Sequence, residues 1–332
     1  MRMWIKRYLG LMVLVMALLF TGSVGVSATE VAEETVPEQI QPVTYTVDME
    51  SDMYRVLSAL EPELKSDQIL VFDATNDKML YTYSNEGDKL YPASITKLFS
   101  AYVALQYLDP EEVLTAGDEL ELVKPGSSIA WIGRGHQLYV RTVVEAMMLP
   151  SGNDAAMMLA TAAGRRIAED ETISAEEAVQ VFVMEMNRKA EELGFEKSNF
   201  ANPDGYHVGC HYTCLNDMAR IAKLALEDKT ISRYMRRYED DVVFVSGQTI
   251  TWKNTNLLLS PEDGFYRGDA IGMKTGHTNQ AQYCLMSAFR CSDGRTLVIG
   301  AFGSDDEYDR LRDILKLVHA AQDQLKIENA KQ

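Results

Sequence analysis

The sequence predicts an α+β fold, an α/β protein in the broad sense, with one antiparallel sheet flanked by helices plus an all-helical subdomain. β-type alternation is confined to two stretches near the ends of the chain, at 68–84 and at about 241–302. Helical periodicity dominates between them, and an amphipathic helix at 308–325 follows the last strand. We expect the strands from both ends to meet in a single sheet, with the helices packed against it.

The predicted elements follow this order along the chain. A short amphipathic helix at 51–60 precedes a hairpin whose strands lie at 68–74 and 79–84. Further helices are predicted after Ser94 and at 139–148, 155–163, 182–193 and 217–226, and further strands at 241–245, 248–253, 270–274, 282–289 and 296–302. The mostly charged segment 165–177 is interpreted as a solvated insertion.

The N-terminal segment 1–28 has the composition of a secretory signal peptide. Basic residues precede an apolar stretch at 9–20, and small residues end the segment at Val26-Ser27-Ala28. An uncleaved anchor is the alternative, because the apolar character continues to Val26 and about 20 such residues span a bilayer. Either way, we expect an exported, extracytoplasmic protein, in the cell envelope or secreted.

The charge of the chain limits its partners. Removal of 1–28 lowers the formal charge from −17 to −20, because that segment holds three basic and no acidic residues. Such a surface argues against nucleic acid and anionic membrane as partners, and leaves membrane contact only to an uncleaved N-terminal segment. The acidic stretch 29–48 predicts a flexible spacer.

The remaining residues, 49–330, are enough for one large domain. Its α/β part is expected at about 49–98 and 240–330, and its helical part at about 99–239.

The four cysteines follow the predicted signal peptide, and export permits disulfides. Cys284 and Cys291 share one predicted strand, roughly 23 Å apart, and should not pair with each other. The remaining pairing stays open. The stretch from His207 to Cys214 has no zinc-site spacing, so we predict no metal, and His211 is interpreted as a loop residue rather than a catalyst.

Ser94 and Lys97 begin a predicted helix, directly before an apolar run. Residues at i and i+3 share one helix face. A lysine that is desolvated enough to be neutral can act as the base for a neighbouring hydroxyl. Ser94 is therefore a candidate nucleophile, although an exposed serine and lysine in a first helical turn would give the same pattern.

Two further motifs follow in the chain, Ser151-Gly152-Asn153 and Lys274-Thr275-Gly276. The first lies in a loop between predicted helices, and the second lies at the end of a predicted strand, before a turn. Each has a purely structural alternative. Ser151 and Asn153 are favourable helix caps, Lys274 is compatible with a strand end, and His277 is compatible with a turn.

Together with their flanking residues, these motifs resemble the penicillin-recognising serine enzymes, specifically the low-molecular-weight D-alanyl-D-alanine carboxypeptidases of peptidoglycan metabolism. The resemblance covers about 67–317. The matching segments are Pro92-Ala93-Ser94-Ile95-Thr96-Lys97, Leu149-Pro150-Ser151-Gly152-Asn153-Asp154, Asn202-Pro203-Asp204-Gly205 and Gly272-Met273-Lys274-Thr275-Gly276-His277-Thr278. It implies a β-lactamase/transpeptidase-like fold without a cofactor, a peptidoglycan stem peptide ending in D-Ala-D-Ala as substrate, and β-lactams as covalent inhibitors.

The resemblance also implies catalytic roles. Ser94 would attack the carbonyl between two D-alanines and form an acyl-enzyme that water hydrolyses. Lys97 would be the base, kept neutral by burial and by the second cation Lys274. Ser151 would relay a proton toward the leaving amine.

The implied substrate-binding residues are Asn153, Lys274, Thr275, Gly276 and His277. Asn153 would bond Lys97 and the substrate amide, while Lys274 and Thr275 would hold the terminal carboxylate. Gly276 would let the substrate approach the backbone. The N–H groups of Ser94 and His277 would form the oxyanion hole.

The chain departs from the family pattern at some positions. Gln282 stands where the family often has glycine, and Asn216 stands where some members have arginine. No separate C-terminal β-rich domain is expected. Two rival functions remain: a class A β-lactamase, although no convincing Glu-x-x-x-Asn loop lies between Ser151 and Lys274, and a sensor that binds without turnover.

Overall fold

The computed structural model describes residues 44–85 and 87–331. The predicted signal peptide at 1–28 and most of the predicted spacer lie outside the described residues. The helices are α1 (Asp52–Ser58), α2 (Thr96–Ala104), α3 (Val140–Met148), α4 (Asn153–Ala168), α5 (Ala175–Glu192), α6 (Leu215–Glu227), α7 (Lys229–Met235) and α8 (Asp309–Ala330). The strands are β1 (Gln68–Asp73), β2 (Lys78–Ser84), β3 (Val113–Thr115), β4 (Gln137–Tyr139), β5 (Glu239–Val243), β6 (Thr249–Lys253), β7 (Ala270–Thr278), β8 (Gln282–Arg290) and β9 (Thr296–Ser304).

Five of these strands form the main sheet, in the order β2-β1-β9-β8-β7, and all neighbours are antiparallel. The first hairpin of the sheet thus pairs with strands from the end of the chain, with Gln68 opposite Phe302. This confirms the predicted sheet built from both ends. β7 is an edge strand, so alternate backbone groups along it point away from the sheet.

The two faces of the sheet bury different side chains because residues alternate along each strand. In β1, Ile69 and Val71 pack in a core that α8 completes, whereas Leu70 and Phe72 pack in the core that contains Leu98 of α2. The sheet therefore has helices on both faces. A 3₁₀ turn, Ala93–Ile95, precedes α2 and contacts β7.

The charged segment 165–177 is mostly exposed to solvent, as predicted, and most of it is helical. It consists of the end of α4, a short connection and the beginning of α5. Ser174 caps α5 in a reciprocal capping box with Glu177, and Arg165 and Arg166 lie in the last turn of α4. These charges suit helix ends, which explains why a helical hairpin has the composition of a loop.

Two predictions about strands need correction. Lys274-Thr275-Gly276 lies inside β7, which continues to Thr278, rather than at a strand end. β5 and β6 pair only with each other, outside the main sheet, as do β3 and β4. The domain boundaries given above remain a prediction. Within the described ranges, no helix combines the length and apolar character needed to cross a bilayer.

Candidate active site

Ser94 lies in the 3₁₀ turn immediately before α2, and Lys97 lies in the first turn of that helix. Lys97 Nζ is 2.7 Å from Ser94 Oγ. The lysine is completely buried, whereas Ser94 is only partly buried. The structure therefore pairs an accessible hydroxyl with a desolvated amine, as a nucleophile and its base require.

Burial lowers the pKa of Lys97 to about 8, although the carboxylates of Asp204 and Asp154 act in the opposite direction. At that value roughly a tenth of the amine is neutral near pH 7. From the sequence, the positive charge of Lys274 is expected to lower the pKa of Lys97 in addition to burial. In the structure, burial is what lowers the pKa of Lys97, whereas charge repulsion from Lys97 contributes to lowering the pKa of Lys274.

The Ser151-Gly152-Asn153 turn forms another wall of the site. Asn153 Oδ1 accepts a hydrogen bond from Lys97 Nζ at 2.7 Å, and Asn153 Nδ2 donates to Asp204 Oδ2 at 2.6 Å. One amide hydrogen of Asn153 is left for a ligand. α4 begins at Asn153, with Gly152 as its N-cap and no side-chain cap, so the structural alternative of helix capping does not apply.

Ser151 is less closely connected than its motif predicts. It is 4% exposed and has a positive φ of 63°. Its Oγ makes no hydrogen bond among the residues that the structure describes. The structure thus brings Ser151 to the turn that holds Asn153, but it does not link the hydroxyl to either lysine. Its role as a proton relay remains a prediction.

Lys274 and Thr275 come from the edge strand β7. Lys274 is completely buried, and its Nζ donates to Thr275 O at 3.2 Å. Burial holds the pKa of Lys274 well below its usual value, and the charges of Lys97 and Arg310 act in the same direction. Binding of an anion would favour the charged form of this buried amine. The Thr275 hydroxyl is hydrogen-bonded to the hydroxyl of Thr255.

Gly276 allows β7 to lie against the turn that carries Ser94. A Cβ at this position would lie 2.8 Å from Pro92 O and 3.2 Å from Ser94 N. Glycine is therefore required here because the backbone of the Ser94 turn comes so close. This reason adds to the predicted approach of the substrate. Arg310 supports the strand from α8 by donating to Gly276 O at 3.2 Å and to Cys284 O at 2.9 Å.

His277 is exposed, and its ring lies 4.3 Å from the ring of Tyr283. Partial burial lowers the pKa of the His277 imidazole, and the charge of Arg310 adds to this effect. The side chain therefore belongs to the rim of the site. The predicted use of the His277 and Ser94 N–H groups as an oxyanion hole remains a prediction.

Sequence reasoning missed two residues that the site depends on. Asp204 O accepts a hydrogen bond from Lys97 Nζ at 2.8 Å, and the Asp204 carboxylate binds Asn153. Thr255 contacts Thr275 through its hydroxyl, and its N–H donates to Leu149 O at 3.2 Å. The Asn202-Pro203-Asp204-Gly205 flank was a signal for Asp204, whereas Thr255 belongs to no motif.

His211 is buried behind the turn that carries Ser94. Its Nδ1 accepts from Ala201 N at 3.1 Å, so Nε2 carries the proton that bonds Thr96 Oγ1 at 2.8 Å. Burial lowers the pKa of His211 to about 4, and the ring stays neutral at ordinary pH. His211 therefore links Ala201 to Thr96 within the interior, and it is far more buried than an ordinary loop residue.

All four cysteines are free thiols, and only Cys210 is exposed. In the described part of the chain, no group of three or more histidine, cysteine or acidic side chains is arranged to hold a metal ion. Both departures from the family pattern have contacts of their own. Gln282 has a φ of 52° and donates to Asp305, and Asn216 Oδ1 accepts from Tyr45 N at 2.8 Å.

The sequence matches the family of D-alanyl-D-alanine carboxypeptidases, peptidase S11, over residues 55–302. It is 30% identical to D-alanyl-D-alanine carboxypeptidase DacF of Bacillus subtilis over 268 residues, which cover 80% of this chain and 63% of that protein. It is 32% identical to the D-alanyl-D-alanine carboxypeptidase of Streptomyces sp. strain K15, over 62% of this chain and 70% of that protein. The match thus spans just under two thirds of the Bacillus relative.

The structure is also similar to the crystal structure of the Streptomyces K15 DD-transpeptidase. The TM-score is 0.68 at 27% sequence identity, and the match covers 78% of this chain and 97% of that chain. This similarity confirms the predicted fold class. Because the family match over residues 55–302 covers well over half of the sequence, the chain belongs to the D-alanyl-D-alanine carboxypeptidase family, peptidase S11.

Proposed function

We propose that the chain is a serine D-Ala-D-Ala carboxypeptidase that removes the terminal D-alanine from peptidoglycan stem peptides and is inhibited by β-lactams. One observation carries the proposal: the buried Lys97 amine lies 2.7 Å from the Ser94 hydroxyl in a turn that is open enough to react. Family membership supplies the reaction class.

The reaction has two steps on Ser94. Lys97 in its neutral form takes the proton of Ser94 Oγ, which attacks the carbonyl between the two D-alanines. The C–N bond breaks, and the leaving D-alanine takes up a proton from Lys97, with Ser151 as the proposed relay. Water then attacks the ester, and Ser94 recovers its proton as the shortened peptide leaves. No cofactor is needed for either step.

Substrate binding is assigned to the residues around this pair. Lys274 and Thr275 hold the terminal carboxylate, and the spare amide hydrogen of Asn153 binds the peptide backbone. The N–H groups of Ser94 and His277 stabilise the oxyanion, each worth about 3 kcal/mol in typical enzymes. The close approach of β7 to the Ser94 turn at Gly276 supports this pairing of donors.

The test combines product analysis with covalent labelling. A peptide ending in D-Ala-D-Ala should yield free D-alanine, and penicillin should add to the peptide that contains Ser94, as located by mass spectrometry. Ser94→Ala should abolish labelling, whereas Ser58→Ala, at the end of α1, should label like wild type. Labelling that persists in the Ser94 variant would place the nucleophile elsewhere.

The same assay separates the rival functions. Rapid turnover of penicillin would indicate a β-lactamase, and binding of the peptide without release of D-alanine would indicate a sensor. Transpeptidation is a second candidate, because the solved relative with TM-score 0.68 is called a DD-transpeptidase. Adding glycine as an amine acceptor would then produce a peptide ending in glycine at the expense of hydrolysis.

We further propose that the protein is exported and acts outside the cytoplasm, in the cell envelope or as a secreted enzyme. The proposal rests on the signal-like composition of 1–28 and on the location of peptidoglycan. Cell fractionation and N-terminal sequencing of the mature protein test it. A cleaved product beginning near Thr29 would favour the signal peptide, and an intact membrane-bound chain would favour the anchor.

A further inference from the structure

Trp131 is a large apolar side chain that faces solvent, with 71% of its surface exposed. Trp252, by contrast, is 2% exposed. The backbone of Trp131 has a φ of 61°, in the left-handed region that bulky residues rarely adopt. A strained backbone that presents an exposed indole is a combination that folding alone does not favour.

Buried polar groups hold this conformation in place. The Asp154 carboxylate, 3% exposed, accepts hydrogen bonds from Ala130 N at 2.8 Å and from Ile132 N at 3.0 Å. Trp252 Nε1 donates to Ala130 O at 3.0 Å. The peptide groups on both sides of Trp131 are therefore fixed, and so is the direction in which its side chain leaves the backbone.

Residues 128–132, here called the rim loop, are joined to the active site. Ser128 O accepts a hydrogen bond from Asn153 N at 2.8 Å. A Cβ on Gly152 would lie 2.7 Å from Ala130 Cβ, so the turn and the rim loop are in direct contact. Asn153 in turn bonds Lys97. The rim loop is thus connected to the proposed base, Lys97, through Asn153.

A cation lies just before the rim loop in the chain. Lys124 is exposed. Burial raises the pKa of the Asp204 carboxyl, and the charge of Lys124 is the smallest of the effects that oppose this shift. It forms no ion pair with the described residues. In a chain with a formal charge of −17, an exposed lysine without an acidic partner is available for an anionic ligand.

We propose that Trp131 and Lys124 form a subsite for the part of the stem peptide that precedes D-Ala-D-Ala. The inference rests on the proposed function, which places the terminal carboxylate at Lys274 and Thr275 on β7. The rim loop is joined to Asn153 instead, so it is assigned the other end of the peptide. An aliphatic side chain of the peptide packs on the indole, and an upstream carboxylate lies near Lys124.

The test compares two substrates: a stem pentapeptide ending in D-Ala-D-Ala and N-acetyl-D-Ala-D-Ala, which lacks the upstream residues. Binding is measured by calorimetry in a Ser94→Ala background, so that no turnover is required. Trp131→Ala should weaken pentapeptide binding about tenfold and change dipeptide binding less than about twofold. Trp131→Phe should keep most of the affinity. Tyr266→Ala, a change at another exposed aromatic, is the matched control and should alter neither.

Equal losses on both substrates, or no loss on the pentapeptide, would overturn the proposal. Its failure is distinguishable from that of the proposed function. Should the wild-type enzyme release no D-alanine while Trp131→Ala still weakens pentapeptide binding selectively, the subsite stands and the carboxypeptidase assignment falls. If D-alanine is released and Trp131→Ala changes neither affinity, the carboxypeptidase assignment stands and the subsite falls.

Lys124 is tested with pentapeptides whose upstream carboxylates are either free or amidated. Lys124→Gln should weaken binding of the free-acid peptide about threefold and leave the amidated peptide unchanged. Lys253→Gln, at an exposed lysine of β6, controls for the loss of one positive charge. Identical affinities of wild type and Lys124→Gln for the free acid would remove Lys124 from the subsite.

Discussion

The backbone carbonyl of Asp204 accepts a hydrogen bond from Lys97 Nζ at 2.8 Å, across more than a hundred residues of sequence. The Asp204 carboxylate also binds Asn153, which shares the same amine. Lys97 is therefore held between Ser94, Asn153 and Asp204, with no exposed surface. These hydrogen bonds fix the direction of the amine, and its burial lowers the pH at which it loses a proton.

Acylation by penicillin is expected to accelerate as the pH rises toward and through about 8. Only neutral Lys97 can accept the Ser94 proton, and its pKa is lowered to about 8 by burial. The second-order labelling rate, measured from about pH 6 to pH 10, should follow one ionisation on its acidic limb. Lys97→Arg, which stays charged, should label at a negligible rate at every pH. A flat wild-type profile would exclude Lys97 as the base.

Asp204→Asn should shift this profile to lower pH. The negative charge of Asp204 raises the pKa of Lys97, so its removal lowers that pKa further. The maximal rate should also fall, by about tenfold, because the partner of Asn153 changes. Asp170→Asn, at an exposed carboxylate, should leave the profile unchanged. A loss of rate at constant profile would mean that Asp204 acts only through structure.

The sheet could be predicted from the sequence because each strand is an apolar run that ends at polar or turn-forming residues. β1 is buried on both faces, and its apolar run is bounded by polar residues and turn residues. The C-terminal end of β7 was harder to predict, because glycine is normally unfavourable within a strand. In the folded protein Gly276 belongs there, since the turn at Pro92 occupies the space of a side chain.

Only part of the candidate site could be predicted from the sequence, because some of its contacts are not tied to a local motif. Ser94, Lys97 and Lys274 are recognisable because their side-chain chemistry is tied to short motifs. Asp204 contributes through its main-chain carbonyl, which any residue type possesses, and Thr255 contributes through a tertiary contact with Thr275. Neither role is encoded by local spacing, so only the fold reveals them.

Gly205→Ala should destabilise the protein and impair acylation. Gly205 has a φ of 81°, and a Cβ there would lie 1.9 Å from Ala93 O, in the turn that carries Ser94. We expect a loss of at least about 2 kcal/mol in the free energy of unfolding. Gly209→Ala is the matched control, because its Cβ meets no atom within 4 Å and its φ is ordinary. Equal stability of the two variants in urea denaturation would contradict this close contact.

Thr255→Val should raise KM for the peptide while leaving kcat nearly unchanged. The substitution removes the hydroxyl that is bonded to Thr275 but keeps the shape of the side chain. Loss of one such contact is worth about 1 kcal/mol, or roughly fivefold in KM. Thr251→Val removes an exposed hydroxyl contact with Asp241 on the β5–β6 hairpin and should have no effect. A reduced kcat at constant KM would assign Thr255 to the chemical step instead.

Lys274→Met should abolish the preference for a free terminal carboxylate. Lys274 is completely buried and its pKa lies well below the usual value, so a bound carboxylate should raise that pKa and favour uptake of a proton from solution by the amine. Wild type should therefore prefer the peptide acid over its C-terminal amide, and should take up a proton on binding the acid. Calorimetry in two buffers with different ionisation enthalpies measures that uptake. In Lys274→Met the acid and the amide should bind within about twofold of each other, without proton uptake.

Lys253→Met, at an exposed lysine, should retain the wild-type preference. If Lys274→Met still prefers the acid, the carboxylate is held by another cation, and Arg310, buried beneath Gly276, is the next residue to test.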